Sequence, residues 1–546
     1  CDNRGQARTP LCSLTEAVMQ TLFIENFRGI RYCNPVVDVT SSGTVSAAKC
    51  SNVELKNTEN SRNIALFTAK GNKAIKDVGK RVVGQFESMQ NGTSYWFIYA
   101  TDDEKGYLYL LNDNTELSLL DSSLAVSDNC NGITMAQGYN DWFVFTNGVD
   151  DYVAICMAQA VESDRIKRLG ATDAEGREIR GLGLEAQDGR LVTFCQNRVH
   201  WSAQNNIFDW SSSNPNIITG PAYQEFDRDV TAVVYYNNKL IAFTADYSVY
   251  FRGNPGNAAD FERGGASGGG CASFKSVIKF DNKLFYYDDK AKNVFAYYLL
   301  DSGQTRPSEG LANNVISYFQ SIDERKINQT EMISYIHGNK SEIWLKLPYE
   351  NRNAILIYDY LTGEWSERKA QDNIRALALV KNALYSAAGS KVLKEYVGTT
   401  FDGAFIPSEY KMNVINLRSD SNIKIPKMPM ILTFAYNSEN NFYIEFIYDD
   451  KPEKSRIKHI VKTLKGYLIW AKSATDEKGG KWALDADDAN GGIWVSSDKN
   501  TAMFNLDGVL PFKQLQIKIF TKEPTQEFAI KRIEFKRVRA KTKSLG

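Results

Sequence analysis

Histidine is almost missing from this chain. His200, His337 and His459 are the only three in 546 residues, each stands alone among strand-like residues, and no Ser or Cys elbow motif accompanies any of them. Nucleophile–base catalysis therefore has no carrier in the sequence, and the chain reads as a structural protein rather than an enzyme. Paired cysteines are missing too: Cys1, Cys12, Cys33, Cys50, Cys130, Cys156, Cys195 and Cys271 form no CxxC, which removes the usual zinc spacings. Cys156 ends VAIC and Cys195 sits in LVTFC, so both read as small buried hydrophobes. Reduced thiols of that kind point to assembly in a cytoplasm. Net charge is absent as well, because Lys+Arg and Asp+Glu both number 65. No global field draws such a chain to nucleic acid or acidic membrane, so any contact with DNA must be local, weak or geometric. No apolar run approaches the ~20 residues that span a bilayer, and no charged-then-apolar signal segment opens the chain. The expectation is a soluble protein with no membrane anchor, unless Cys1 is the lipidated start of a bacterial lipoprotein.

Several phrases imitate known sites and fall short of them. The stretch 253–271 (GNPGNAADFERGGASGGGC) has the glycines of a phosphate cradle but not the Lys-Ser/Thr and helix of a P-loop, and reads as a linker. Gly181-Leu-Gly183-Leu-Glu-Ala186 is followed by a strand pattern, so no helix N-terminus would face a pyrophosphate. The acidic run 485–492 places Asn at the loop position where an EF-hand needs Gly. Carboxylates at Asp102-Asp103-Glu104 and Asp288-Asp289 read as hydrated turn residues, although a propeller glycosidase would draw on such groups. The sequons at Asn91, Asn328 and Asn339 carry no functional weight. No cofactor or metal is expected.

What is present is a repeat. The stretch 229–253, DVTAVVYYNNKLIAFTADYSVYFRG, sets two apolar runs about an Asn-Asn turn, with the period-two writing of a hairpin. The same design places Tyr95, Trp142, Leu191, Leu240, Leu284, Ile343 and Leu384 just after successive turns, 41–59 residues apart. Four-stranded blades repeat every ~40–50 residues, so the sequence predicts an all-β chain containing a β-propeller of about six or seven blades. The expected organisation is a short N-terminal arm with lead-in strands (1–60), the propeller (61–400) and a C-terminal β-sandwich-like domain (401–546). A capping box at Ser13–Glu16 predicts a short helix through Ala17, Val18 and Met19. In the last domain the strands expected are 430–436, 441–448, 464–470, 512–520 and 527–538.

Some phrases are familiar. Asn26-Phe27-Arg28-Gly29-Ile30, then Asn52-Val53, then a strand closing on Gly71 resemble the opening of the tail nozzle proteins of short-tailed bacteriophages, the packaged-DNA stabilisation or tail tubular B family. Arg198-Val-His-Trp-Ser202 with Ile207-Phe-Asp-Trp210, and Ile357-Tyr-Asp-Tyr-Leu-Thr-Gly-Glu-Trp-Ser366, are similar to later phrases of that family. The resemblance implies a homohexameric ring below the portal and adaptor, near the tail fibres or spikes. It also implies a virion protein assembled in the host cytoplasm, with double-stranded DNA held in the lumen and then released through it. The domain after the propeller would build the narrowing tube. Two other readings stay open: a surface-anchored propeller that binds glycans, and a propeller glycoside hydrolase.

Two regions stand as candidate contact sites. The long polar loop 473–500 carries Trp482 and Trp494 and is expected either to form a mobile rim or to pack its tryptophans inward. Near the C-terminus, Lys531, Arg532, Lys536, Arg537, Arg539, Lys541 and Lys543 are opposed only by Glu534, with a strand expected through Val538 and a tail after it. Such cations read either as a lysine-blunted edge strand or as contacts to passing phosphates or an acidic neighbour.

Overall fold

The computed structural model describes residues 19–31, 36–38, 44–57, 63–137, 139–211, 219–252, 262–299, 305–338, 340–416, 423–426, 430–435, 440–462, 469–470, 479–480, 501–504 and 514–541. The turns predicted from Asn, Asp and Gly come first, because they fix everything else. Asn91-Gly92, Asp188-Gly189, Asn237-Asn238, Asp281-Asn282 and Lys381-Asn382 all hold positive φ at both positions, the geometry whose twist matches that of two antiparallel strands. Each turn joins the first strand of a unit to its second, as Val230–Tyr236 is joined to Lys239–Thr244.

Tyr95, Trp142, Leu191, Leu240, Leu284, Ile343 and Leu384 each lie on the second strand of a four-stranded antiparallel meander. Six of these meanders are separate four-stranded sheets; the one running from Glu331–His337 to Glu364–Arg368 ends a twelve-stranded sheet. The first strand of each unit packs against the first strand of the next, from Arg81–Gln90 round to Ile374–Val380, which returns to Arg81–Gln90. The units therefore close a propeller ring around their first strands. Apolar side chains fill the seams between neighbours, as where Phe97 and Phe143 stack with centroids 4.3 Å apart.

The seventh unit takes three strands from residues 374–395, and its outermost strand is Asn72–Asp77, from before the first unit. Chain ends that pair within one sheet lock the ring against opening, and no local signal announces the pairing. The stretch 253–271 is corrected in part. Glu262–Gly268 is the outermost strand of its unit, in ladder with Tyr247–Arg252, because an outer strand needs backbone groups more than side chains.

The lead-in strands do not stay with the propeller, and neither does Ile64–Thr68, which falls inside the 61–400 span expected for it. Met19–Ile24 and Ile64–Thr68 join a seven-stranded sheet with Met430–Phe434 and Ala529–Lys541. Asn26–Ile30 and Thr44–Ser51 join the twelve-stranded sheet with Glu409–Met412, Gln514–Phe520 and Asn440–Tyr448. Leu432, Phe434, Ile530 and Ile533 of one sheet and Phe442, Ile444 and Ile517 of the other belong to a single buried core. Met19 is thus in a strand, not the predicted helix, and residues 13–18 lie outside the described residues.

Lys451–Lys462 is a strand that the sequence reading does not include, and among the described residues it is paired only with Asn440–Tyr448. It is the edge strand blunted by lysines. Ala529–Lys541, for which that role was expected, has partners on both sides and runs to Lys541 rather than stopping at Val538. Ile530, Ile533 and Phe535 are buried on its inner face, and that burial draws it to the middle of the sheet.

Candidate functional site

Two places gather polar and charged groups inside this fold: the junction between propeller and two-sheet body, and the central channel of the propeller. The junction is built from phrases picked out in the sequence. Gly29 lies so close to the Thr-Gly-Glu-Trp hairpin that a Cβ there would stand 2.4 Å from the Trp365 carbonyl oxygen. That closeness lets the Gly29 N–H donate to Glu364 Oε2 at 2.8 Å, while Arg28 and Arg31 reach Glu364 Oε1 at 3.0 and 3.3 Å. Tyr410 donates its hydroxyl to the Arg28 carbonyl at 2.8 Å. Asn52, at φ 53°, donates its side-chain amide to the carbonyls of Lys369 and Pro407 at 3.0 and 3.2 Å and accepts from the Lys369 N–H at 2.7 Å.

Deeper in the junction, Arg368 and Glu395 form an ion pair with side chains 1% and 0% exposed. Arg368 also donates to the carbonyls of Lys70 and Gly71, and Glu395 accepts from Asn72 and Ser386. A buried pair of this kind is tolerable only because nearly every remaining donor and acceptor is occupied. Beside it, Lys340 and Lys56 reach Glu54 at 3.0 and 2.5 Å. Burial works against the Glu54 charge, yet the two ammonium groups outweigh it and hold the carboxyl down to about 2.

The central channel holds a cavity of about 580 Å³ lined by five of the first strands or the residues just before them, including Phe86, Thr134, Val277, Glu331 and Leu377. Glu331 sits between two lysines, with Lys346 Nζ at 2.7 Å and Lys275 Nζ at 3.9 Å. Burial depresses Lys346, and Glu331 only partly offsets it; for Lys275 burial also opposes the charge, but the Glu331 carboxylate prevails and raises it. Sequence reading missed this triad, whose members stand 15 to 71 positions apart with nothing local to join them.

The sequence-predicted residues fall elsewhere. Lys531 and Arg532 are half-buried on the seven-stranded sheet; Arg532 stands 3.7 Å from Glu534, 4.0 Å from Glu25 and over the Phe23 ring. Lys536, Arg537, Arg539 and Lys541 lie on the same strand, Ala529–Lys541. Lys543, Trp482, Trp494 and the acidic run 485–492 lie outside the described residues.

The isolated histidines have separate surroundings. His200 is buried against Tyr223, and burial pushes it down to about 4. His459 is exposed and bonds Asn441 at 2.6 Å. Asp102 is a turn residue, bonded to Lys80, Tyr107 and two backbone N–H groups. Asp288 departs from the hydrated turn expected of it. It is buried and accepts from the N–H groups of Ala291 and Gly270 at 3.0 and 3.2 Å, Gly270 coming just after the outermost strand of the preceding unit. Of the described cysteines, Cys50, Cys130, Cys156, Cys195 and Cys271 are free thiols.

No protein-family model matches this chain, and no curated protein does. Among solved structures it is similar to BamB from Moraxella catarrhalis, at 11% identity and a TM-score of 0.34 over 63% of this chain and 92% of that one. It is also similar to an extracellular domain from B. thetaiotaomicron, at 9% identity and a TM-score of 0.39 over 78% of this chain and 60% of that one.

Proposed function

We propose that the chain is a non-catalytic structural protein of the tail nozzle type found in short-tailed bacteriophages, forming a ring beneath a portal and adaptor, close to the tail fibres or spikes, in the virion tail. One observation carries this reading. Four of the phrases that resemble the nozzle family, Asn26–Ile30, Asn52-Val53, the approach to Gly71 and the hairpin at Glu364-Trp365, converge in one buried junction that ties the propeller to the two-sheet body, while Arg198–Ser202 with Ile207–Trp210 lies apart in the third unit. A continuous sheet, with the ion pairs of Arg28 and Arg31 to Glu364 and of Lys340 to Glu54 across that junction, suits a part that carries load between two neighbours. The DNA path in this reading is the lumen between copies. A zero net charge suits a wall along which DNA slides, because every neutralised phosphate would add salt-sensitive affinity.

Closed rings of identical chains arise from heterologous interfaces under cyclic symmetry. In this reading the free chain is monomeric or weakly associated, and the ring assembles in the host cytoplasm on a portal–adaptor template. The test is to mix the purified chain with portal–adaptor complexes from short-tailed phages and image the product by negative-stain microscopy. Sixfold rings docked on the adaptor are expected. A chain that stays unattached to every adaptor and hydrolyses chromogenic glycosides, or retains immobilised glycans, would overturn the proposal.

A further inference from the structure

One mouth of the propeller channel opens into a cavity of about 270 Å³ whose walls are rich in cations. Arg81 opens the first strand of the ring, Lys275 precedes the fifth, and Arg375 lies near the start of the seventh; Lys346 and Arg352 come from the end of a second strand and the turn beyond it. Strand starts and second-to-third turns share one face in an up-and-down meander, so the fold itself brings these five side chains to one opening.

The charge there is not balanced from within, since Arg81, Lys275, Lys326, Lys346, Arg352 and Arg375 line the cavity against the carboxylates of Asp128 and Glu350. Arg81 is engaged by Asp128 at 2.5 Å and by Thr101 at 3.1 Å. Glu331 is shared between Lys346 and Lys275. Arg375 and Arg352 have no carboxylate partner among the described residues. Burial and the facing Arg81 guanidinium both work against the charge on Arg375, with Asp128 opposing them.

A second feature lies immediately inward, where Lys275 passes from the mouth to the channel. Gln85, on the first strand of the ring, lines that channel and is 4% exposed, yet neither its amide oxygen nor its amide nitrogen has a partner. Buried amides are nearly always hydrogen-bonded.

We propose that this mouth binds a compact phosphoryl oxyanion, gripped by Arg375, Arg352 and Arg81 at the rim, with Lys275 beneath, where the mouth passes into the channel that Gln85 lines. Guanidinium groups match the paired oxygens of a phosphoryl group in a way that a single halide cannot. Bound there, the anion separates the like charges of Arg375 and Arg81 and supplies the missing counter-charge. The shared chemistry is the phosphoryl group, whether free in solution or at the end of a nucleotide. The site belongs to a single chain and stands independently of the nozzle reading.

The experiment is titration calorimetry on the full chain in chloride buffer, with inorganic phosphate and ATP as separate probes. Saturable binding of at least one probe is expected, with stoichiometry near one per chain. Arg375→Gln and Arg352→Gln should each weaken it by tenfold or more without lowering the thermal midpoint in phosphate-free buffer. Equal affinities for the two probes identify the free oxyanion as the ligand, and a tenfold preference for ATP identifies the nucleotide; either outcome supports the site. Absence of saturable heat with both probes would overturn it. So would binding that both variants retain at full strength, since the anion would then sit elsewhere.

Discussion

The backbone N–H of Gly29 donates to the Glu364 carboxylate at 2.8 Å, although the two residues stand 335 positions apart. The contact depends on the missing Cβ at Gly29, whose place lies 2.4 Å from one backbone atom of Trp365 and 2.8 Å from another. Gly29→Ala should therefore force the Asn26–Ile30 strand off the hairpin, at a cost of about 1–3 kcal/mol by analogy with other overpacked sites. Glu364→Gln keeps the shape but strips the counter-charge from Arg28 and Arg31, and should cost less. Urea denaturation followed by tryptophan fluorescence checks the order; an alanine variant as stable as the parent would contradict the junction described.

The contrast between this contact and the blade repeat shows what a sequence can and cannot announce. The hairpins were legible because Asn237-Asn238 and its counterparts must adopt positive φ, and a two-residue turn of that kind fixes the register of the strands beside it. The closing strand Asn72–Asp77 was not legible, since its partner Lys391–Glu395 is more than 300 residues away and neither carries a local mark of the other. Lys451–Lys462 was passed over because its lysines mask an alternation in which Ile460 is buried while Ile457 and Val461 are exposed. The basic mouth was invisible for a related reason. Arg81, Lys275 and Arg375 are unremarkable one by one, and only the ring gathers them.

Breaking the Arg368–Glu395 pair tests how the sixth and seventh units of the ring are held together. Removing one partner leaves a buried charge without compensation, so Arg368→Met or Glu395→Leu alone should destabilise by about 3–5 kcal/mol. The double variant should recover much of that loss, because an apolar pair of similar volume needs no counter-ion. A double-mutant cycle from denaturant midpoints measures the coupling, and strictly additive losses would show that the two side chains act separately.

Stability should fall on acidification in two windows. His200 is pushed down to about 4 from an ordinary 6.5 by burial. The unfolded chain therefore takes up that proton first, and stability is lost as the pH falls from about 6.5 through 4. Glu54 is held down to about 2 from 4.5, so its contribution is intact above about 4.5 and is lost as the pH falls through 2. By linkage the Glu54 step is worth about 3 kcal/mol as an order of magnitude. Thermal midpoints measured from pH 7 to pH 2.5 should show His200→Phe flattening the first window and Glu54→Gln the second. A variant that shifts the midpoint equally at every pH would contradict the assignment.

The basic C-terminal strand needs a test that separates charge from fold. Ending the chain after Val538 would remove Arg539, Ala540 and Lys541, which pair with Ile425, Lys424 and Ile423, and would also remove the pairing of Met19 with Arg539. A truncation there should destabilise the seven-stranded sheet by about 1–3 kcal/mol for structural reasons alone, within the usual range of single lesions. Ending after Lys541 spares every one of these pairs, and its denaturation midpoint should match the parent. The double substitution Arg539→Gln, Lys541→Gln likewise keeps the ladder while deleting two cations. Under the nozzle proposal, particles assembled with it should leak DNA and show a reduced salt dependence of retention where these charges meet phosphates. Unchanged retention across a salt series would leave these two cations no part in holding DNA, and would restrict any contact along this strand to Lys531, Arg532, Lys536 and Arg537.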